Sequence, residues 1–107
     1  MAKGFDMNKL MQQAQQMQEQ MARVQEELAH ETVEASAGGG LVTVKATGAG
    51  EIAEIKIDPK AIDPDDSELL EDTVLAAVNE ALRSAQALAQ SRLGAATGLG
   101  GLGLPGM

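Results

Sequence analysis

Apolar residues in the first third of the chain fall at Met7, Leu10, Ala14, Met17, Met21, Val24 and Leu28, at alternating spacings of three and four. That is the seam of a heptad repeat, in which one side of a helix faces a partner helix. The residues between are strong helix formers, mostly glutamine, so the pattern predicts an amphipathic helix from Asp6 to His30. Because glutamines flank the seam, charge pairing does not choose its partner, which is either the last helix or another chain. Past His30 the period falls to two. Val33, Ala35 and Ala37 alternate with polar residues, then Val42, Val44 and Ala46, then Ala53, Ile55 and Ile57. Gly38-Gly39-Gly40 and Gly48-Ala49-Gly50 separate the runs, and Asp58-Pro59 closes the last. Three strands joined by glycine turns predict an antiparallel meander with one covered face.

Asp65 followed three residues on by Glu68 has the form of a helix start with its capping box. The stripe Leu70, Val74, Ala77 or Val78, Ala81, Ala85 and Leu88 predicts a second long helix, ending near Leu93 at Gly94. Residues 94–107 are mostly glycine with scattered leucine, which predicts a disordered tail. The expected organisation is a single domain over residues 1–93, of α+β class: long N-terminal helix, three-stranded antiparallel meander, long C-terminal helix.

Composition adds one expectation about assembly. With 107 residues, no Trp or Tyr and a single Phe, the core is aliphatic and thin. Burying further surface against a second copy, as a homodimer, is the expected remedy. The absence of cysteine excludes disulfide scaffolds and zinc fingers. No stretch has the length and apolarity of a signal peptide or membrane span, so the expected location is the cytoplasm, without a membrane partner.

The net charge of −8 argues, taken whole, against a polyanionic partner. Its distribution argues otherwise. Asp58, Asp63, Asp65, Asp66, Glu68, Glu71, Asp72 and Glu80 against Lys60 leave residues 58–80 at −7, and Glu26, Glu27, Glu31 and Glu34 leave residues 26–34 at −4, whereas residues 1–25 carry +1 and residues 81–107 carry +2. Screening over about 8 Å lets a cationic end of an elongated molecule act apart from an acidic region. Antiparallel helices would gather Lys3, Lys9 and Arg92 at one end, with Arg23 and Arg83 partway along. Ordinary solvated charges are the competing explanation for these five.

Catalytic and metal chemistry find little footing. His30 is the only imidazole, and a helix C-terminus favours a histidine there anyway. The aspartates around Asp65 lack calcium-loop spacing, and the glycine turns lack a phosphate-loop pattern. No enzyme activity, cofactor or metal is expected.

The first helix, from Phe5 through Met7-Asn8-Lys9-Leu10-Met11 to Met21, is followed by Gly40-Leu41-Val42 and Ile57-Asp58-Pro59. After these come Glu68 to Asp72 and Ala76-Ala77-Val78-Asn79-Glu80-Ala81. In this order, over residues 5–93, the chain resembles the YbaB/EbfC family of bacterial nucleoid-associated proteins. The resemblance implies a homodimer whose long helices project like the arms of tweezers. It further implies non-enzymatic binding of duplex DNA in the nucleoid, and a link to recombination and repair. The DNA-facing positions it implies are Lys3, Lys9, Arg23, Arg83 and Arg92. The seam Met7, Leu10, Met17, Met21, Val24 and Leu28 is left to the core or to dimer packing. The rival expectation is an adaptor whose acidic residues 63–80 meet a basic partner in the repair machinery.

Overall fold

The computed structural model describes residues 6–97. Helix α1 (Met7–His30) leads into strands β1 (Thr32–Ala37), β2 (Val42–Thr47) and β3 (Ile52–Ile57). A single 3-10 turn (Pro59–Ala61) and helix α2 (Ser67–Thr97) follow. The α+β class and the element order are those expected from the pattern.

Asp6 starts α1: its carboxylate accepts from the backbone N–H groups of Asn8 and Lys9 at 3.0 and 3.3 Å, satisfying two donors with no partner inside the helix. The helix stops at Glu31, whose backbone is already extended. The sheet is antiparallel in the order β1-β2-β3, with Ala35 opposite Val44 and Val44 opposite Ile55. Gly38, Gly39 and Gly40 all have positive φ, from 67 to 93°. A left-handed run of that kind falls to glycine, because a Cβ would be strained at each step.

Two details depart from the sequence expectation. Lys45 pairs with Glu54 but Ala46 pairs with Ile52, so Ala53 is the extra residue of a bulge. The bulge shifts the alternation, and Ile52 rather than Ala53 joins Ile55 and Ile57 on the apolar face. At the start of α2, Asp66 rather than Asp65 receives the Leu69 N–H, at 3.3 Å, while the Asp65 N–H donates to Asp63.

The other end of α2 also differs. The helix runs through Gly94 to Thr97 instead of stopping at Leu93. An interior glycine costs about 1 kcal/mol relative to alanine, which does not end a helix when Ala95 and Ala96 follow. The rest of the expected tail, residues 98–107, lies outside the described residues.

The core is the contact of α2 with the central strand. Ala77, Ala81 and Ala85, four residues apart on one helical face, are buried against Val42, Val44 and Ala46. Val33, Ala35, Ala37, Leu70, Val74 and Val78 pack around them. Helix α2 lies over β1 and β2 and barely reaches β3. Ile52, Ile55 and Ile57 therefore remain 37 to 44% exposed on the face that α2 covers elsewhere.

Helix α1 is anchored by its last turns. Leu28 is buried beside Gly48, whose N–H donates to the Glu31 carbonyl at 2.9 Å. A Cβ at Gly48 would stand 2.7 Å from Leu28 Cδ2 and 2.9 Å from the Leu28 carbonyl oxygen. The backbone oxygen has little freedom to retreat. Gly48→Ala should thus lower unfolding free energy by about 1 to 3 kcal/mol in urea titrations, as overpacking does elsewhere; an unchanged midpoint would show that α1 shifts freely.

Candidate nucleic-acid interface

Beyond its anchor, α1 stands clear of the body. Residues 7–20 are exposed throughout, whereas Met21 and Val24 are half-buried and Leu28 is buried. The seam is thus divided. Its lower part, Met21, Val24 and Leu28, meets the body at the α2 end, and its upper part, Met7, Leu10 and Met17, has no cover among the described residues. The free part forms an arm about 20 Å long at 1.5 Å per residue.

Along α1, Lys9 and Gln16 on the arm and Arg23 just below it repeat every seven residues and so line up on one face, away from the apolar seam. Gln12, Glu19 and Gln20 neighbour them on the helix surface. Lys9 and Arg23 are exposed, make no ion pair among the described residues, and stand about 21 Å apart along the axis.

The remaining expected contacts fare differently. Lys3 lies outside the described residues. Arg83 is exposed but paired: its Nη2 donates to Glu80 Oε1 at 2.8 Å, one turn back on α2. Arg92 grips Glu31 with both ends of its guanidinium, Nη2 to Oε1 at 2.6 Å and Nη1 to Oε2. This fork is a tie between the last turns of α2 and the residue that follows α1. Lys9 sits 22 residues before Glu31, or about 33 Å away, so Arg92 and Lys9 do not share one end as expected. The heptad pattern carried no sign of this, because Glu31 lies outside it and finds Arg92 only through the fold.

The outer face of the sheet holds a second group that sequence reasoning passed over. Lys45 and Lys56 flank Glu54 at 3.9 and 3.4 Å. The pairing of Lys45 with Glu54 follows from the strand register, which the bulge hid. Acidic residues gather at the opposite end of α2. Asp63, Asp65, Asp66, Glu68, Glu71 and Asp72 are exposed, and Asp63 and Asp66 are occupied in capping turns. From Asp66 to Arg92 the helix rises about 39 Å, several screening lengths. The acidic end therefore exerts little field on the arm. Among the described residues no cluster of three acidic or histidine side chains converges as a metal site would, and no helix is long and apolar enough to cross a membrane.

The uncovered sheet face continues into an apolar groove of about 480 Å³ lined by Ile57, Leu70, Val74, Leu75 and Val78, with Glu71 at its edge. The chain thus presents, on a helix-covered antiparallel sheet, a projecting helix and an open apolar flank. The chain belongs to the YbaB/EbfC DNA-binding family, whose profile matches residues 3–101. A nucleoid-associated protein of Acetivibrio thermocellus is 56% identical over 105 residues, covering 97% of this chain and 91% of its own. One from Saccharopolyspora erythraea is 51% identical over 109 residues, covering 95% and 94%. The fold is similar to that of an uncharacterized protein from Helicobacter pylori, with a TM-score of 0.72 at 21% identity over 81% of this chain and 91% of that one.

The two arginine pairs should separate in stability measurements. Arg92→Ala breaks a two-pronged tie between elements and should cost about 1 kcal/mol, with Glu31→Ala similar and the double variant less than additive. Arg83→Ala, losing an exposed pair within one helix, should cost at most about 0.5 kcal/mol. Equal losses in urea titrations would contradict the assignment of Arg92 as a tie.

Proposed function

We propose that the chain is a non-enzymatic component of the bacterial nucleoid that binds duplex DNA as a homodimer, through phosphate contacts from the α1 arms. The observation that carries this reading is the pair of free cations, Lys9 and Arg23, aligned with Gln16 on a projecting helix of a DNA-binding family member. Lysine and arginine neutralise phosphate, and glutamine amides donate to phosphate oxygens, without reading base edges. Lys3, four residues before α1 in the sequence, is a further proposed contact. Arg83 joins them by exchanging Glu80 for phosphate, because an exposed pair of that kind is held by less than about 1 kcal/mol. Arg92 serves the arm by fixing it. Preference among DNA sequences then follows shape and deformability.

The homodimer rests on the bare apolar flank. Ile52, Ile55 and Ile57 with the groove beside Leu75 make a continuous apolar surface of a kind that soluble monomers seldom expose. Closing two such flanks together completes each thin core with the other. The exposed acidic residues from the start of α2 onward support a second reading, an adaptor that meets a basic protein of recombination or repair at Asp63 to Glu80.

Three measurements decide among these. A dimer with two free cations per arm should bind DNA with a slope of log K on log salt of about −3 to −4. Lys9→Gln with Arg23→Gln should weaken binding about tenfold or more and flatten that slope, dimer mass unchanged. Binding indifferent to salt and to these changes would sink the phosphate reading and favour the adaptor. Ile55→Asp should halve the sedimenting mass; if it does not, the flank is not the dimer contact.

A further inference from the structure

Among the described residues the upper seam of α1 has no occupant: Met7, Leu10, Ala14 and Met17 continue the heptad whose lower part is packed on the body, and the three large residues are 47 to 59% exposed. We propose that this stretch is a second self-association surface, on which the arm of another copy lies antiparallel and joins dimer to dimer. The proposal rests on the sheet-flank dimer described above, since only a dimer held elsewhere has arms free to pair.

Four observations point to a second copy as the occupant. The stretch is self-complementary. In an antiparallel pair centred on Gln12, Met7 falls opposite Met17 of the second copy and Leu10 opposite Ala14, so that large faces small in the middle layers. The flanks are neutral as well: Met11, Gln13, Gln18 and Gln20 border the seam, and no like charges meet across it. Lys9, Glu19 and Arg23 lie on the outer face and stay free for other contacts.

The bodies also clear one another. Each begins at Met21, so the pairing sets the two Met21 positions about 27 Å apart along the axis, at opposite ends. A parallel pair would force both bodies to one end. Finally, a helical segment of 14 residues exposed throughout among the described residues is marginal in water, and covering its apolar side supplies the missing support.

Sedimentation velocity of the full chain from micromolar to millimolar concentration tests the pairing. The expected result is a rise from the dimer to about twice that mass, and Leu10→Gln with Met17→Gln should hold the protein at the dimer. Both substitutions keep helix-forming residues and leave Lys9 and Arg23 in place. A mass that stays dimeric at every concentration, or that rises equally in the variant, would overturn the arm contact. Collapse of the variant to monomers would instead overturn the sheet-flank dimer, with Ile55→Asp as its control.

Orientation has its own readout, since the chain has no native cysteine. Met7→Cys protein mixed with Met17→Cys protein should oxidise to the mixed disulfide between the two. Disulfides linking only Met7→Cys chains to one another would overturn the antiparallel arrangement, and no cross-link in any mixture would overturn the contact.

Discussion

The structure depends on how closely α2 approaches the central strand. Ala77, Ala81 and Ala85 have side chains short enough to bring the helix backbone down onto Val42, Val44 and Ala46, and all six are buried. Such a contact removes little apolar area per residue, so it is made over several turns of a long helix rather than by a few large side chains. Its narrowness has a second effect. A helix seated tightly over β1 and β2 does not also cover β3, and the three isoleucines of that strand are left in contact with solvent. The bare flank is thus a consequence of the same small residues that make the core.

The placement of α1 follows from that contact. Because α2 returns along β1, with Thr73 near Gly38 and Arg92 beside Glu31, its last turns arrive where α1 enters the sheet. Leu28 against Gly48 and the Arg92 fork on Glu31 then fix the lower end of α1 and leave the upper end projecting. The tie has an electrostatic consequence, since an arginine already holding a carboxylate in two bonds is poorly placed to hold a phosphate. On the proposed reading, fixing the arm and contacting DNA draw on the same few cations, with Arg92 given to the first.

Much of the fold was legible because each element had a pattern of its own. The spacing from Met7 to Leu28 specified a helix, the alternation around Val44 a central strand, and three successive glycines a left-handed turn. The misreadings arose where a local pattern was overruled by something non-local or additive. Alternation alone put Ala53 on the apolar face, and a bulge moved Ile52 there. Gly94 resembled a stop, but two following alanines carry the helix on. The candidate site was less legible still. Periodicity aligned Lys9 with Arg23, yet it did not show that Arg92 and Glu31, 61 residues apart, would find each other. Charge positions along a sequence record how many groups exist and leave their mutual distances to the fold.

Those distances explain how an acidic chain belongs to a DNA-binding family. The acidic start of α2 stands about 39 Å along the helix from Arg92, and at physiological salt its repulsion fades within about 8 Å. Net charge is therefore a poor guide to the field at the arm. Local charge is nevertheless unfavourable, since Asp6 and Glu19 offset Lys9 and Arg23, and Glu26 and Glu27 follow Arg23 within one turn of α1. On the proposed reading, affinity comes from repetition: each further chain held in an assembly adds its own phosphate contacts, and a second arm on the same duplex binds as an intramolecular event. A protein with so few free cations gains more from joining copies than from any residue within one, and its two exposed apolar surfaces, the β3 flank and the α1 seam, are what such joining requires.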